Sequence, residues 1–413
     1  MGGRITRSRL EWLQSLGQLG AGLDMPVYLV GGPVRDLILG RLELDTDVAV
    51  TGDALEYARR LAERDGAHLL QYPQFHGATV TYPDGRHVDV TGTRSELYPH
   101  PGALPQVRPA DIIEDLRRRD FTINAIALTM TPDGFGDLVD PYDGYAHLRA
   151  GRLQALHGDS FTDDPTRLLR AARFTVRLGL QIEPATLQGI ESASASDALA
   201  TVSAKRVLTE LRYVFIEPAA RQTLQLLASW GALAGVGLDG EAPRLAALDN
   251  LLLARRDVGL SADEGTMTAA SLGMLAPDSP EQWLAAWPLR RSEHEAALRA
   301  ALIVQCPPTV IFSSSAESSR LYAALQGLPA AALLAAWAAG SPASRFNLRR
   351  FCRTLTDVRA DVTGEDFVRL GHKPGPRFRA ALEAALAAKL DRNADRDEQL
   401  AEALRLLDDT PGS

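Results

Sequence analysis

The sequence predicts an α+β fold in which a small mixed sheet with helices is followed by a long all-helical part. Three observations carry this expectation. Strand-like runs and turn signals alternate through the first third of the 413 residues and almost vanish beyond residue 160. From there Leu- and Ala-rich segments recur at helical spacing, separated by breaks containing Gly and Pro. The length, at about 150 residues per domain, leaves room for two to four domains.

Taken in order, Leu10, Trp12, Leu13 and Leu16 mark a short amphipathic start. Val27–Val30 reads as a strand that runs into Gly31-Gly32-Pro33, with a helix beginning near Val34. Asp45–Val50 reads as a second strand and Ala54–Arg64 as a helix. Ala78–Tyr82 and Arg86–Thr91 form a hairpin, because Pro83-Asp84-Gly85 supplies a turn. Thr122–Leu128 has helical character, ahead of a turn at Pro132-Asp133-Gly134. Helices are then expected at 165–178, 204–215, 219–230, 243–255, 292–304, 318–338, 376–389 and 396–407. Linkers are expected at Gly235–Pro243, Ser261–Gly265, Ala276–Pro280 and Gly340–Pro342.

Composition narrows the function classes. With 46% apolar and 23% charged residues the chain is too apolar for disorder. No uninterrupted apolar run reaches the roughly 18 residues of a membrane helix. Glu11 and Gln14 break up the stretch after Arg4, Arg7 and Arg9, so no secretory segment is expected. Cys306 and Cys352 are the two cysteines, which excludes a disulfide-stapled scaffold and a multi-cysteine zinc site. The expectation is a cytoplasmic protein with no membrane partner. A net charge of −8 argues at first sight against nucleic acid. Residues 341–380, however, hold nine basic against four acidic residues, a local charge of +5. A phosphate backbone responds to such a local patch, although an ordinary solvated surface accounts for it equally well.

The chemistry-bearing residues gather in the first 175 positions. Asp45 and Asp47 lie two apart in a strand and so share a face. Like charges at that spacing raise each other's pKa unless a cation offsets them, and Mg²⁺ is commonly held by one or two carboxylates together with phosphates. An exposed turn carries the same pattern. Asp89, between Val88 and Val90, points away from the valines and supplies a third carboxylate from a neighbouring strand. Gly31-Gly32 after a strand, with Arg35 in the next turn, suits close approach of backbone to phosphate. Arg117, Arg118 and Arg119 precede Asp120; they either clamp phosphates or neutralise Asp111, Glu114 and Asp115. Pro165 fits a first helical position with Asp164 as its cap, while Asp164 and Arg167 together could face the edge of a base. Arg167, Arg170 and Arg173 recur along one side of that helix.

These residues stand in motifs that resemble those of the class II tRNA nucleotidyltransferase and bacterial poly(A) polymerase family. Gly31-Gly32-Pro33-Val34-Arg35-Asp36 followed by Asp45-Thr46-Asp47 resembles its signature, and Arg118-Arg119-Asp120-Phe121-Thr122-Ile123-Asn124-Ala125 its second motif. Asp140-Pro141-Tyr142-Asp143-Gly144 is similar to the third. Asp163-Asp164-Pro165-Thr166-Arg167 through Arg173-Phe174 resembles the fourth, and Ser203-Ala204-Lys205-Arg206-Val207 with Glu210-Leu211 the fifth. Asp163 and Lys205 each stand where the family usually has Glu. A weaker likeness continues in Thr363-Gly364-Glu365-Asp366 and Gly371-His372-Lys373-Pro374-Gly375-Pro376.

The resemblance implies a nucleotidyltransferase head with a mixed five-stranded sheet over residues 1–155, a helical neck over 156–240, a helical body over 241–340 and a tRNA-binding helical tail over 341–413. It implies that Asp45 and Asp47 bind metal, that Asp89 is the third catalytic carboxylate, and that two Mg²⁺ ions serve the reaction. Gly31, Gly32 and Arg35 would lie against the triphosphate. Arg119 would support the phosphates or the contact of Asp120 with the ribose 2′-hydroxyl. Asn124, Arg170 and Arg173 belong to the same nucleotide site, and Asp164 with Arg167 would read the base of CTP or ATP. The implied partners are tRNA and the nucleotide, with a monomeric chain.

One segment separates members of the family. Complete CCA-adding members carry a flexible, charged loop between the positions of Arg94 and Asp115. Here residues 98–107 hold no charged side chain at neutral pH and three prolines, Pro99, Pro101 and Pro105, which stiffen the chain. This resembles the CC-adding branch, which leaves the terminal A to a separate A-adding enzyme. Complete CCA addition is the alternative reading, followed by A addition and poly(A) synthesis. No His-Asp hydrolase pair is evident in the helical part, so no appended phosphohydrolase domain is expected.

Overall fold

The computed structural model describes residues 5–41, 46–234, 237–238 and 244–408. The chain divides into two compact units, one of Met1–Ser203 with Leu226–Gly237, the other of Ala204–Gln225 with Leu238–Ser413.

The first unit is built on a mixed sheet. Its strands are β1 (Val27–Val30), β2 (Asp47–Val50), β3 (His68–Tyr72), β4 (Gly77–Thr81) and β5 (His87–Gly92). A hairpin of β6 (Arg94–Leu97) and β7 (Gln106–Pro109) follows, then β8 (Ala127–Thr129) and β9 (Leu138–Val139). Seven of these strands form one sheet in the order β3-β4-β5-β2-β1-β8-β9. The expected five strands are thus two too few. The edge strand β3 is mostly solvated and mixes His68 and Gln71 with Leu69 and Leu70, so it shows no clean alternation, and β9 is two residues long. The helices are α1 (Arg7–Gly22), α2 (Gly32–Ile38), α3 (Ala54–Asp65), α4 (Ile112–Arg117), α5 (Gly144–Arg149), α6 (Ser160–Asp163), α7 (Arg167–Leu178) and α8 (Pro184–Ala195).

Alternation along the strands assigns the two faces of the sheet. Val27, Leu29, Val48, Val50, Val80, Val88 and Val90 pack with Leu13 and Leu16 of α1 and with Tyr57, Ala58 and Leu61 of α3. The opposite face carries Val30, Ala49, Ala125 and Ala127, packed with Ile112 and Leu116 of α4. Asp53 caps α3 by accepting hydrogen bonds from the amides of Leu55 and Glu56, and left-handed Gly66 closes it.

Two further sequence expectations in this unit are corrected. Thr122–Leu128 is not a helix: a 3₁₀ turn over Thr122–Asn124 leads into β8, which pairs with β1 on one side and β9 on the other. Ala125, Ile126 and Ala127 are fully buried, and a strand covered on both faces reads as a continuous apolar run that propensity mistakes for helix. The stiff segment at 98–107 closes the β6–β7 hairpin, and its last two residues, Gln106 and Val107, open β7. Pro165 is not the first helical residue: Asp164 terminates α6, Thr166 precedes α7, and Asp164 accepts from the amide and hydroxyl of Thr166. The second strand is described from Asp47 onward, and Asp45 lies outside the described residues.

The second unit is helical: α9 (Ala204–Phe215), α10 (Ala220–Ser229, whose last residues belong to the first unit), α11 (Leu251–Val258), α12 (Glu264–Leu275), α13 (Pro280–Ala285) and α14 (Arg291–Gln305). It continues with α15 (Ser318–Leu325), α16 (Ala330–Ala339), α17 (Pro342–Arg350), α18 (Gly364–Arg369), α19 (Arg377–Arg392) and α20 (Arg396–Asp408). The single helix expected over 318–338 is two helices bent by 118° at Gly327-Leu328-Pro329. The polar stretch Ser261–Gly265 is in part the start of α12, capped by Asp263. Most of the linker expected at Gly235–Pro243 lies outside the described residues. Among the described residues no single helix is long and apolar enough to cross a membrane.

Candidate active site

The sheet brings two of the three expected carboxylates together. In the parallel β2–β5 pair, Asp47 stands directly opposite Asp89, with Val48 opposite Val90 one step on. Neighbouring strands lie about 4.8 Å apart. The valines enter the core, so both aspartates face the other side, and both are half-buried. Thr79 on β4, opposite Asp89, donates its hydroxyl to the carboxylate at 2.5 Å. Thr46, 1% exposed, accepts a hydrogen bond from Arg9 of α1 at 2.5 Å. Sequence reasoning missed Arg9, which lies 37 residues from Thr46 and carries no motif.

A second group forms around Asp120. One of its oxygens accepts from the amide of Phe121 (2.8 Å) and the side-chain amide of Asn124 (2.9 Å); the other accepts from Arg170 at 2.7 Å. Burial alone would raise its pKa, but the Arg170 guanidinium and the Asn124 hydrogen bond hold it at about 2. Asn124 in turn accepts from Arg35 at 2.7 Å, and Arg35 pairs with Asp36 at 2.9 Å. Arg35, Arg170 and Arg173 all lie over the ring of Phe174, with guanidinium carbons 5.1, 5.4 and 4.8 Å from its centroid. Phe174 stands in the sequence analysis only as the end of the fourth motif, and the fold reveals the cations around it.

Gly31 occupies a left-handed conformation (φ +69°) ahead of Gly32, the first residue of α2. A Cβ at Gly31 would come within 2.7 Å of the Arg119 guanidinium. Glycine is therefore favoured here by its left-handed conformation, and a Cβ would in addition displace the end of the Arg119 side chain. Arg119 donates to Asp115 at 2.9 Å, while its Nε is buried without a hydrogen-bond partner.

Of the two readings open for the arginine run, neutralisation of nearby acids accounts for much of it. Asp115, 1% exposed, pairs with both Arg118 (2.8 Å) and Arg119 (2.9 Å). Burial pushes its pKa up, and the two guanidinium groups outweigh that and bring it below the ordinary carboxylate range. Arg118 also pairs with Glu96 of the β6–β7 hairpin at 3.0 Å, and Glu96 is held in addition by Arg94 and the Tyr98 hydroxyl. Burial and the neighbouring Glu96 push the Tyr98 phenol pKa up.

Asp164 lies between α6 and α7, and Arg167 adjoins this cluster through the backbone of Arg118. Arg167 is buried; it donates to Ser160 at 2.6 Å and to the carbonyl oxygen of Arg118 at 2.7 Å. It lines a cleft of about 410 Å³ with Glu96, Tyr98, Arg118, His157 and Asp163. Burial and the charge of Arg167 lower the pKa of His157, leaving it neutral at pH 7. Glu96, Tyr98 and His157 were not singled out from the sequence.

Residues 27–154 match the poly A polymerase head domain, and residues 179–237 match a segment described as a probable RNA and SrmB-binding site of polymerase A. A CC-adding tRNA nucleotidyltransferase of Deinococcus radiodurans is 39% identical over 269 residues, covering 65% of this chain and 68% of that protein. The chain belongs to the class II tRNA nucleotidyltransferase and bacterial poly(A) polymerase family. Other members of the family differ in what their names say they add. An A-adding tRNA nucleotidyltransferase of Geobacter sulfurreducens is 32% identical over 429 residues, 99% of this chain and 48% of that protein. The chain thus spans about half the length of that family member. A solved CCA-adding enzyme of Thermotoga maritima, complexed with tRNA, matches with a TM-score of 0.74 at 27% identity, covering 98% of this chain and 97% of that one.

Proposed function

We propose that the chain transfers cytidylyl groups from CTP to the 3′ end of tRNA and stops after two. The observation that carries nucleotidyl transfer is the in-register pair Asp47 and Asp89, facing away from the core on adjacent parallel strands. The donor set fits a hard divalent cation: both are carboxylates, both lie on one face, and β2 is preceded by Asp45 two residues earlier in sequence. Asp47, with Asp45, would hold Mg²⁺, and Asp89 completes the carboxylate set. Among the described residues there is no cluster of three metal-ligating side chains, and Asp45 lies outside them. The bound cation supplies positive charge against the negative charge that develops at the α-phosphate.

The reaction is attack of the terminal ribose 3′-hydroxyl on the α-phosphorus of CTP. A P–O bond forms to the tRNA, the bond to the β-phosphate oxygen breaks, pyrophosphate leaves, and the hydroxyl proton passes to the medium. Arg35, Arg170, Arg173 and Arg119 place donors for the triphosphate beside Gly31 and Gly32. Asp120 and Asn124 set the ribose end, and Asp164 with Arg167 reads the base. Residues 341–413 contribute tRNA contacts.

Stopping after two cytidines is supported by the β6–β7 hairpin. Its prolines stiffen the tip, left-handed Gly102 packs against Thr201, and Glu96 ties its base to Arg118. Arg118 in turn receives Arg167 on its carbonyl oxygen. A fixed hairpin leaves the base-reading pair in one arrangement. A second reading, addition of A, is favoured by the likeness of 99% of this chain to about half of an A-adding relative. Transcripts ending before CCA, after C and after CC, incubated with CTP and ATP and sequenced at their 3′ ends, separate the two. The expected product gains two cytidines and little A, and Asp47→Ala or Asp89→Ala abolishes incorporation. A dominant product ending in CCA overturns the stop at two, and an A on transcripts ending in CC with no C addition selects the second reading.

A further inference from the structure

The hydrogen-bonded chain around Asp120 closes on itself through an aromatic ring. Arg35 bonds Asn124, Asn124 bonds Asp120, and Asp120 bonds Arg170, while the first and last members both lie over Phe174. Arg170 and Phe174 are four apart on α7 and so share a face. Arg173 joins the same ring as a third cation. Phe174 itself is buried and held edge-on by Phe121, with centroids 6.0 Å apart at 85°. Phe121 also donates the amide that Asp120 accepts, so one aromatic pair underlies both the carboxylate and the cations.

Three guanidinium groups gathered on one side chain repel one another. Asp36 and Asp120 offset two of the charges, but each does so by occupying N–H groups. The ring works differently: its negative face attracts the guanidinium plane and takes up no N–H donor. A guanidinium has five N–H groups, and Arg35 directs three of them to Asp36 and Asn124. Fixing the plane from its face therefore orients a guanidinium without occupying any of its donors.

We propose that Phe174 is a positioning residue for nucleotide binding, its ring presetting Arg35, Arg170 and Arg173 for the phosphates of the incoming triphosphate. This rests on the nucleotidyl-transfer reading above. A residue that merely fills the core would act through volume, whereas this role depends on the charge distribution of the ring.

The experiment replaces Phe174 in the full chain by phenylalanines carrying one to five fluorines, which drain negative charge from the ring face with little change in size. Cytidine incorporation into tRNA lacking CCA is followed at varied CTP. The KM for CTP is expected to rise stepwise, to about tenfold at full fluorination, with kcat within about twofold. The KM for tRNA and the unfolding midpoint stay constant, Phe174→Tyr keeps the natural KM, and folded Phe174→Leu matches the fully fluorinated chain. A KM for CTP that is flat across the fluorine series, in a chain whose unsubstituted form adds cytidine, overturns the role of the ring. Absence of cytidine incorporation by the unsubstituted chain overturns the nucleotidyl-transfer reading instead, and this inference with it.

Discussion

Asp120 shows how one residue can link stability to the site. Its carboxyl pKa is held at about 2, below the unfolded value, so its contribution is fully present above pH 4 and is lost as pH falls from 4 toward 2. A shift of that size corresponds to about 2 kcal/mol. Asp120→Asn leaves Arg170 without its charge partner at this position, and a loss of about 3 kcal/mol at pH 7 is expected. In urea unfolding the gap between the two proteins should narrow below pH 4; a gap independent of pH would place the stabilisation elsewhere. At this scale the sequence was informative about chemistry and poor about partners. Asp89 could be placed beside Asp47 because alternation with Val88 and Val90 fixes its face, a local property. That Arg118 serves Asp115 is a local pair three residues apart, whereas its second partner, Glu96, depends on the hairpin lying beside α4, which no local pattern encodes.

Among the elements, the β6–β7 hairpin is tied down by a largely buried charge network. The Glu96 side chain, 6% exposed, receives Arg94, Arg118 and the Tyr98 hydroxyl, and Arg118 continues to Asp115. Glu96→Gln keeps the shape and removes the charge, at an expected cost of about 2–3 kcal/mol. Amide exchange through residues 94–109 should accelerate more than in β2 or β5. Equal acceleration across the sheet would mean that the hairpin does not open on its own. The strands β1, β4 and β5 and the helix α3 were legible because apolar period, turn residues and caps agree there. Elements failed where burial contradicts propensity, as in β8, or where a strand is solvated, as in β3. The bend between α15 and α16 follows from Gly327 and Pro329, signals present in the sequence but outweighed by the long run of Ala and Leu.

For the molecule as a whole, the local charge of +5 over 341–380 resolves into residues with different work. Arg345 donates to the carbonyl oxygens of Trp337 and Ala338 and lies 4.6 Å over the Trp337 ring, closing the end of α16. Arg349 and Arg369 are largely exposed and pair with Asp257 and Asp366 at 3.4 Å each, and Lys373 is exposed. Pairs made at that distance by such exposed arginines are weak, and the arginines exchange readily to phosphate. Neutralising Arg349, Arg369 and Lys373 should flatten the salt dependence of tRNA binding by up to about three counterions, whereas Arg345→Gln should lower the unfolding midpoint and leave the slope alone. An unchanged slope in the triple variant would return these charges to ordinary surface. The path of the chain has a further consequence. It passes between the two compact units three times, after Ser203, Gln225 and Gly237. On the ribosome the sheet and both its apolar faces are complete early, since their core residues lie between Leu13 and Met130. The first unit still lacks Leu226–Gly237, with buried Leu227, Ala232 and Leu233, until the leading segment of the second unit has been synthesised. Neither unit can therefore be finished in isolation, and a nascent chain arrested before residue 226 carries a formed sheet in a unit that still lacks its last segment.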